Sequence, residues 1–219
     1  MNRRTLEQLI NAIAVVLVIA GLVIMFNFNP EGNELVSHGV ENFKYFTVLS
    51  NVFWGLVAFS QLSFDILSVV SDKKIEGLES RFRTAKLIAT TAVGLTFFTI
   101  AFFLWPVYKL PGMYSGSNLF FHLIVPLLAM VDFVLLEGEE KIPFKVTFIA
   151  IIPTFLYACF YLANILINGV GKWPDTNDWY GYLNWGYIGG AVIFVVTILV
   201  TWLMACMLRW VSNILNKSN

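Results

Sequence analysis

NLFFHLIVPLLAMVDFVLL, residues 118–136, is an apolar run broken by one histidine and one aspartate. At 1.5 Å per residue, such a run is long enough as a helix to cross a hydrocarbon core of about 30 Å. Five other stretches match it, so the six candidate spans are about 5–26, 43–69, 84–107, 118–136, 144–167 and 187–210. The chain is 58% hydrophobic and only 13% charged, a composition that excludes an ordinary soluble domain. Between them the spans leave no room for a separate soluble unit. Residues 1–219 therefore read as one all-α domain, a polytopic six-transmembrane-helix bundle.

The first span follows Arg3 and Arg4 but has no small-residue cleavage site after its apolar run, so it reads as a retained span and not as a secretory signal. Assigning alternate span ends to one side gathers Arg3, Arg4, Lys73, Lys74, Arg81, Arg83, Lys86, Lys141, Lys145, Arg209 and Lys217, eleven of the fourteen basic residues. Lys44, Lys109 and Lys172 fall opposite. The positive-inside rule then predicts that both termini are cytoplasmic in a multi-pass membrane protein. Trp105, Tyr108, Tyr114, Trp173, Trp179, Tyr180, Tyr182, Trp185 and Tyr187 mark the outer boundary, where amphipathic rings settle at headgroup depth. Cys159 falls near the middle of span five and Cys206 near the inner end of span six, too far apart in depth for a disulfide.

Three loops are longer than the rest. Residues 27–42 carry Pro30, Glu31, Gly32, Glu34, His38, Gly39 and Glu41 and read as irregular and solvated. Residues 71–83 alternate charges and read as a solvated anchor. Residues 168–185 alternate turn formers with aromatics, which predicts a folded cap on the outer interface. Pro126 and Pro153 interrupt spans four and five, where a kink is the ordinary expectation.

Two polar side chains then stand out, Thr47 in FKYFTVLSNVFWGLVAF (43–59) and His122 in the opening stretch. Spans two and four both run inward, and each residue lies about four positions from its span's start, a depth of roughly 6 Å. Thr47, Ser50, Asn51 and Trp54 share one helical face, and Asn118 stands four before His122. On span five, Tyr157, Tyr161, Asn164 and Asn168 form a stripe that ends at the same side. The pattern predicts a polar pocket opening toward the outer headgroups.

A threonine hydroxyl attacks a carbonyl only when a base removes its proton, and neutral histidine is the usual base. The pocket is therefore fitted for acyl transfer. Asn51, Asn118 and Asn164 are the candidates for orienting the imidazole or donating to an oxyanion, whereas Asp132 lies ten residues, about 15 Å, too deep. Plainer readings stand beside these. Thr47 alone is a small residue at a helix contact, His122 a structural hydrogen bonder, and Asn51 and Asn164 interhelical links. Asp65 and Asp132 are expected near the inner interface, solvated or paired with loop cations.

FKYFTVLSN (43–51), GSNLFFHLIVPLLAMVDFVL (116–135) and YLANILINGVGKWPDTNDWYGYLNWGY (161–187) resemble segments of the bacterial family of predicted six-transmembrane proteins. That family is more distantly similar to the animal androgen-induced and androgen-dependent membrane proteins, which hydrolyse fatty acid esters of hydroxy fatty acids. The resemblance implies a threonine nucleophile at Thr47 and a histidine partner at His122. With Ser50, Asn51, Asn118, Tyr161 and Asn164 binding or orienting the substrate, the expected function is hydrolysis of a membrane lipid or fatty-acyl ester. The competing expectations are a non-enzymatic membrane protein that binds or transports a lipid or small molecule, and a scaffold for membrane partners. Neither a cofactor, a metal motif nor a nucleic-acid patch is expected from the sequence.

Overall fold

The computed structural model describes residues 3–27, 39–71, 77–109, 111–136, 141–172 and 175–215. Pro30, Glu31, Gly32, Glu34, His38, Lys73, Lys74, Trp173 and Lys217 lie outside the described residues. Among those residues no strand forms. Six helices are long and apolar enough to cross a membrane: α1 (Arg3–Asn27), α2 (Phe46–Ser68), α3 (Leu78–Val107), α4 (Ser117–Leu135), α5 (Val146–Asn168) and α6 (Tyr182–Leu215). Their outward faces carry apolar side chains such as Val16, Leu166, Ile167 and Ile188, as a lipid-facing surface requires.

α3 is the central helix, with 56% of its span buried against 22–44% in the other five. Ala89, Ala92, Gly94 and Thr96 are small and buried, so neighbouring backbones approach closely. It packs against α2, α4 and α6. Its start departs from expectation. Gly77 adopts φ 75° and the helix begins at Leu78 with Glu79 in its first turn, so Arg81 and Arg83 are helical and not part of a solvated loop. An acidic side chain in the first turn favours that early start through the helix dipole.

Prolines shape α3, α4 and α5 in two ways. A proline has no N–H, and its ring presses on the carbonyl four residues back. In α3 and α4 the residue just before the proline bonds five residues back, Trp105 to Ile100 ahead of Pro106 and Val125 to Phe120 ahead of Pro126. The result is a π-helical turn at Thr99–Leu104 and another at Phe120–Ile124, the second containing His122. In α5 the helix instead breaks into turns at Ala150 and Ile151, ahead of Pro153. Gly21 lets α1 approach α4, since a Cβ there would stand 2.6 Å from the Phe121 ring.

The interior of four helices meets at one ion pair. Lys86 Nζ on α3 donates to the Asp132 carboxylate on α4 and, at 2.6 Å, to Asn11 Oδ1 on α1. The same ammonium lies 5.4 Å from the centre of the Trp54 ring on α2. All four residues are 0% exposed. Asp132 was expected to meet a loop cation near the interface, and its partner is instead a lysine inside a helix. Because α3 begins at Leu78, Lys86 lies eight residues, about 12 Å, along it. Asp65 likewise pairs with a helical cation and not a loop one, Arg4 in the first turn of α1 at 3.1 Å.

Removing one member of such a pair strands the other charge, whereas replacing both removes the problem. Lys86→Met should therefore lower resistance to unfolding in detergent by about 3–5 kcal/mol, and Lys86→Met/Asp132→Leu should recover most of that loss. Unfolding followed by circular dichroism checks it; a single variant within about 1 kcal/mol of the parent contradicts it.

Candidate functional site

The 3-10 turn Gly39–Lys44 precedes α2, so the helix starts at Phe46 and Thr47 is its second residue. Thr47 lies on the inward face with Asn51, Trp54 and Ala58, the last three fully buried. Its carbonyl accepts from Asn51 Nδ2 at 2.7 Å and from Ser50 Oγ at 3.1 Å. Ser50 also meets Thr96 Oγ1 of α3 at 3.3 Å. The Thr47 hydroxyl makes no hydrogen bond among the described residues.

Asn51 joins the two halves of the site. The second hydrogen of its amide goes to the Phe121 carbonyl on α4 at 3.0 Å, one residue before His122. Its Oδ1 is buried without a partner among the described residues. The contact sets α2 and α4 in register, and it aligns Asn51 with Phe121. Thr47 therefore lies about one turn, roughly 6 Å, closer to the helix starts than that level. The depth match expected of Thr47 and His122 is offset by that turn, because residues 43–44 belong to the 3-10 turn and not to the helix. No hydrogen bond joins Thr47 to His122 among the described residues.

His122 is 8% exposed and faces inward beside Phe121, Val125 and Ala129. Its Nδ1 lies 2.6 Å from the Met113 carbonyl oxygen. A carbonyl only accepts, so Nδ1 carries the hydrogen, and in the neutral ring Nε2 keeps its lone pair. One turn earlier Asn118 Nδ2 donates to the Gly112 carbonyl at 2.8 Å. Asn118 and His122 thus clamp successive carbonyls of the turn Pro111–Tyr114. Of the two, only the histidine has a ring nitrogen left to act as a base. Sequence reasoning sought the orienting group among asparagine side chains. It is a loop carbonyl, an atom present in every residue and so invisible to residue type.

Tyr161 and Asn164 serve the cap. The Tyr161 hydroxyl donates to the Asp178 carboxylate and accepts from the Tyr180 N–H at 3.2 Å. Asp178 also accepts from the N–H groups of Tyr182 and Leu183, both at 2.9 Å, which fixes the turn that opens α6. Asn164 Nδ2 reaches Asn177 Oδ1 at 3.2 Å. The cap then lands on the start of α2. Tyr180 Oη accepts from the Phe46 N–H at 2.8 Å, Tyr157 donates to the Lys44 carbonyl at 2.6 Å, and Trp179 Nε1 donates to Tyr157 at 3.1 Å. An otherwise orphaned N–H at a helix start is thereby satisfied. Tyr180 shows 37% of its surface, yet burial around the hydroxyl holds its phenol well above the usual tyrosine range. The expected cap is folded, and it closes over the chain next to Thr47.

An apolar groove of about 420 Å³ runs between α1 and α4, lined by Ile13, Leu17, Leu123, Ile124, Leu127, Leu128 and Val131. Leu127 and Val131 lie on the side of α4 opposite the inward face that carries His122, so the groove does not lead to the imidazole. No group of three metal-ligating side chains occurs among the described residues.

Asp178 was missed in the sequence, although an aspartate four residues before a turn with aromatic flanks is a capping signal. Asp178→Ala should leave the Tyr182 and Leu183 amides unpaired, at about 1–3 kcal/mol. Hydrogen exchange at those two amides should accelerate about tenfold or more, and unchanged exchange would show that the carboxylate does not hold the cap. No protein-family model matches the chain, and no curated protein and no solved structure matches it.

Proposed function

We propose that this six-span protein is an intramembrane hydrolase of lipid or fatty-acyl esters, with Thr47 as nucleophile and His122 as base. The observation that carries the reading is the Met113 carbonyl, 2.6 Å from His122 Nδ1, which commits one ring nitrogen to the loop and leaves the other basic. In the membrane of a bacterial cell, with both termini cytoplasmic, the site belongs to the outer leaflet. The ester group of a membrane lipid enters between the starts of α2 and α4, and a water spans the one-turn offset between the two side chains.

Thr47 Oγ1 attacks the ester carbonyl carbon while its proton passes through one bridging water to Nε2. Collapse of the tetrahedral adduct expels the alcohol, which recovers the proton from Nε2 and leaves an acyl-threonine. Water, deprotonated by the same nitrogen, then releases the acid. Ser50 and Asn51 shape the layer beneath Thr47, Asn118 holds the loop that orients the imidazole, and Tyr161 with Asn164 holds the cap. A second reading, lipid or small-molecule binding or transport without turnover, is favoured by the buried Lys86–Asp132 pair, because an ionisable pair inside the membrane is a common part of transport paths.

Labelling with a fluorophosphonate probe separates the two. Thr47→Ala and His122→Ala should each lose about 100-fold or more in labelling rate while keeping the helical circular dichroism signal, and Thr47→Ser should still label. Labelling that persists in both alanine variants sinks the hydrolase reading.

A further inference from the structure

The bundle contains a second polar group that takes no part in chemistry at Thr47 or His122. On α1, Arg4, Glu7 and Asn11 follow the i, i+3, i+7 spacing of one face and become more buried inward: the Arg4 side chain is 48% exposed, Asn11 0%. On α2, Asp65, Gln61 and Trp54 descend beside them. Cross-links join the two stripes, Arg4 to Asp65 at 3.1 Å and Gln61 Nε2 to Glu7 Oε1. A ladder of polar side chains therefore rises from the Arg4 end of the bundle to Lys86 and Asp132.

The ladder stops there. Beyond it, Ala14, Val18, Val57, Ala58, Ala89, Val93, Val125 and Ala129 pack as an apolar cluster with the Trp54 ring, and the polar groups at that depth are the buried Thr90 and Thr91 hydroxyls of α3. At the pair itself, Asp132 Oδ2 holds Lys86, whereas Asp132 Oδ1 is buried with no partner among the described residues. Asn11 Nδ2 and Trp54 Nε1 are buried in the same condition. These are two donors and one acceptor around a fixed ammonium, and the cross-linked ladder leads to them from the Arg4 side.

We propose that Asp132 Oδ1 is a proton-binding site that exchanges with the Arg4 face of the membrane alone, with Lys86 as its fixed counter-cation. A hydronium ion arriving along the Glu7–Gln61 step gives its proton to the Oδ1 lone pair and leaves as water. One O–H bond forms at Asp132 and one breaks in hydronium, and the pair passes from net neutral to a single positive charge on Lys86. Other charged groups on the elements packed around the pair are Arg3, Arg4 and Glu7 on α1, with Arg3 Nε donating to the Leu136 carbonyl at 3.1 Å, then Asp65 on α2, Glu79, Arg81 and Arg83 on α3, and Arg209 on α6. Arg83 donates to Ser212 at 3.3 Å, and Arg209 to the Ile142 carbonyl at 2.7 Å. Neither of these last two is bonded to the carboxylate.

Dicyclohexylcarbodiimide couples only to protonated carboxyls and partitions into membranes, so it reports the proposed state directly. The full-length protein is reconstituted in phosphatidylcholine vesicles in one orientation, the pH is varied on each face separately, and Asp132 adducts are measured by peptide mass spectrometry. The adduct should form, its rate falling about tenfold per pH unit above the apparent titration point of the pair, and it should follow the Arg4 face. Infrared spectra of the wild-type protein carrying carboxyl-13C aspartate provide a readout that needs no reagent to enter: a carboxylic C=O band should appear on acidification of that face. An adduct or band that follows the Arg4 face supports the site. Absence of both at every pH at which the helices stay intact overturns it, as does a signal that follows the opposite face. Thr47→Ala should leave the result unchanged, so this proposal and the hydrolase reading fail separately.

Discussion

A lysine and an aspartate, both 0% exposed, hold the centre of this bundle together. Hydrocarbon cannot compensate either charge, so each requires the other, and Asn11 and the Trp54 face complete the enclosure. The requirement is geometric as well as electrostatic. Lys86 belongs to α3, Asp132 to α4, Asn11 to α1 and Trp54 to α2, so satisfying one ammonium sets the relative height of four helices. Lipid tails offer helices little apolar reason to associate with one another. The ion pair supplies a specific reason, and small residues at Gly21, Ala89 and Gly94 let the backbones come close enough to use it.

Those four helices repeat one sequence of layers. On α2 the order is Asn51, then Trp54, Val57 and Ala58, then Gln61; on α4 it is His122, then Val125 and Ala129, then Asp132. α1 and α3 show the ion-pair and middle layers in reverse order, from Asn11 to Ala14 and Val18 and from Lys86 to Ala89, Thr90, Thr91 and Val93. α3 then continues to Thr96, which meets Ser50. Asn51 bonds the Phe121 carbonyl in one polar layer and Lys86 bonds Asp132 in the other, so the register is pinned at two depths. The cap adds a third tie, from Tyr180 to the first N–H of α2.

The six spans were legible because hydrophobic runs of that length have no other stable environment. The cap was legible from its alternation of turn formers and aromatics. Lys86 was not, because counting charges near span ends assumes that α3 begins where the apolar run begins, at Thr84. The helix begins at Leu78, and burial of Lys86 depends on Asn11 and Asp132, residues distant in sequence whose shared level is a property of packing. The depth of Thr47 missed by a turn for a related reason: an apolar run does not reveal that its first residues form a 3-10 turn. Met113 escaped because its contribution is a backbone carbonyl.

The layer between the two polar groups has a consequence for any chemistry at His122. Side chains that relay protons need donors and acceptors in succession, and between Asn51 and Gln61 the inward face of α2 offers Trp54, Val57 and Ala58. On α4 the corresponding stretch offers Val125 and Ala129. On α3 the buried hydroxyls of Thr90 and Thr91 are the polar groups at that depth, so a relay between His122 and Asp132 would have to pass along α3 and not along α2 or α4. The loop that fixes the imidazole and the cap seated on α2 lie together at the opposite end of the bundle from the Lys86–Asp132 pair.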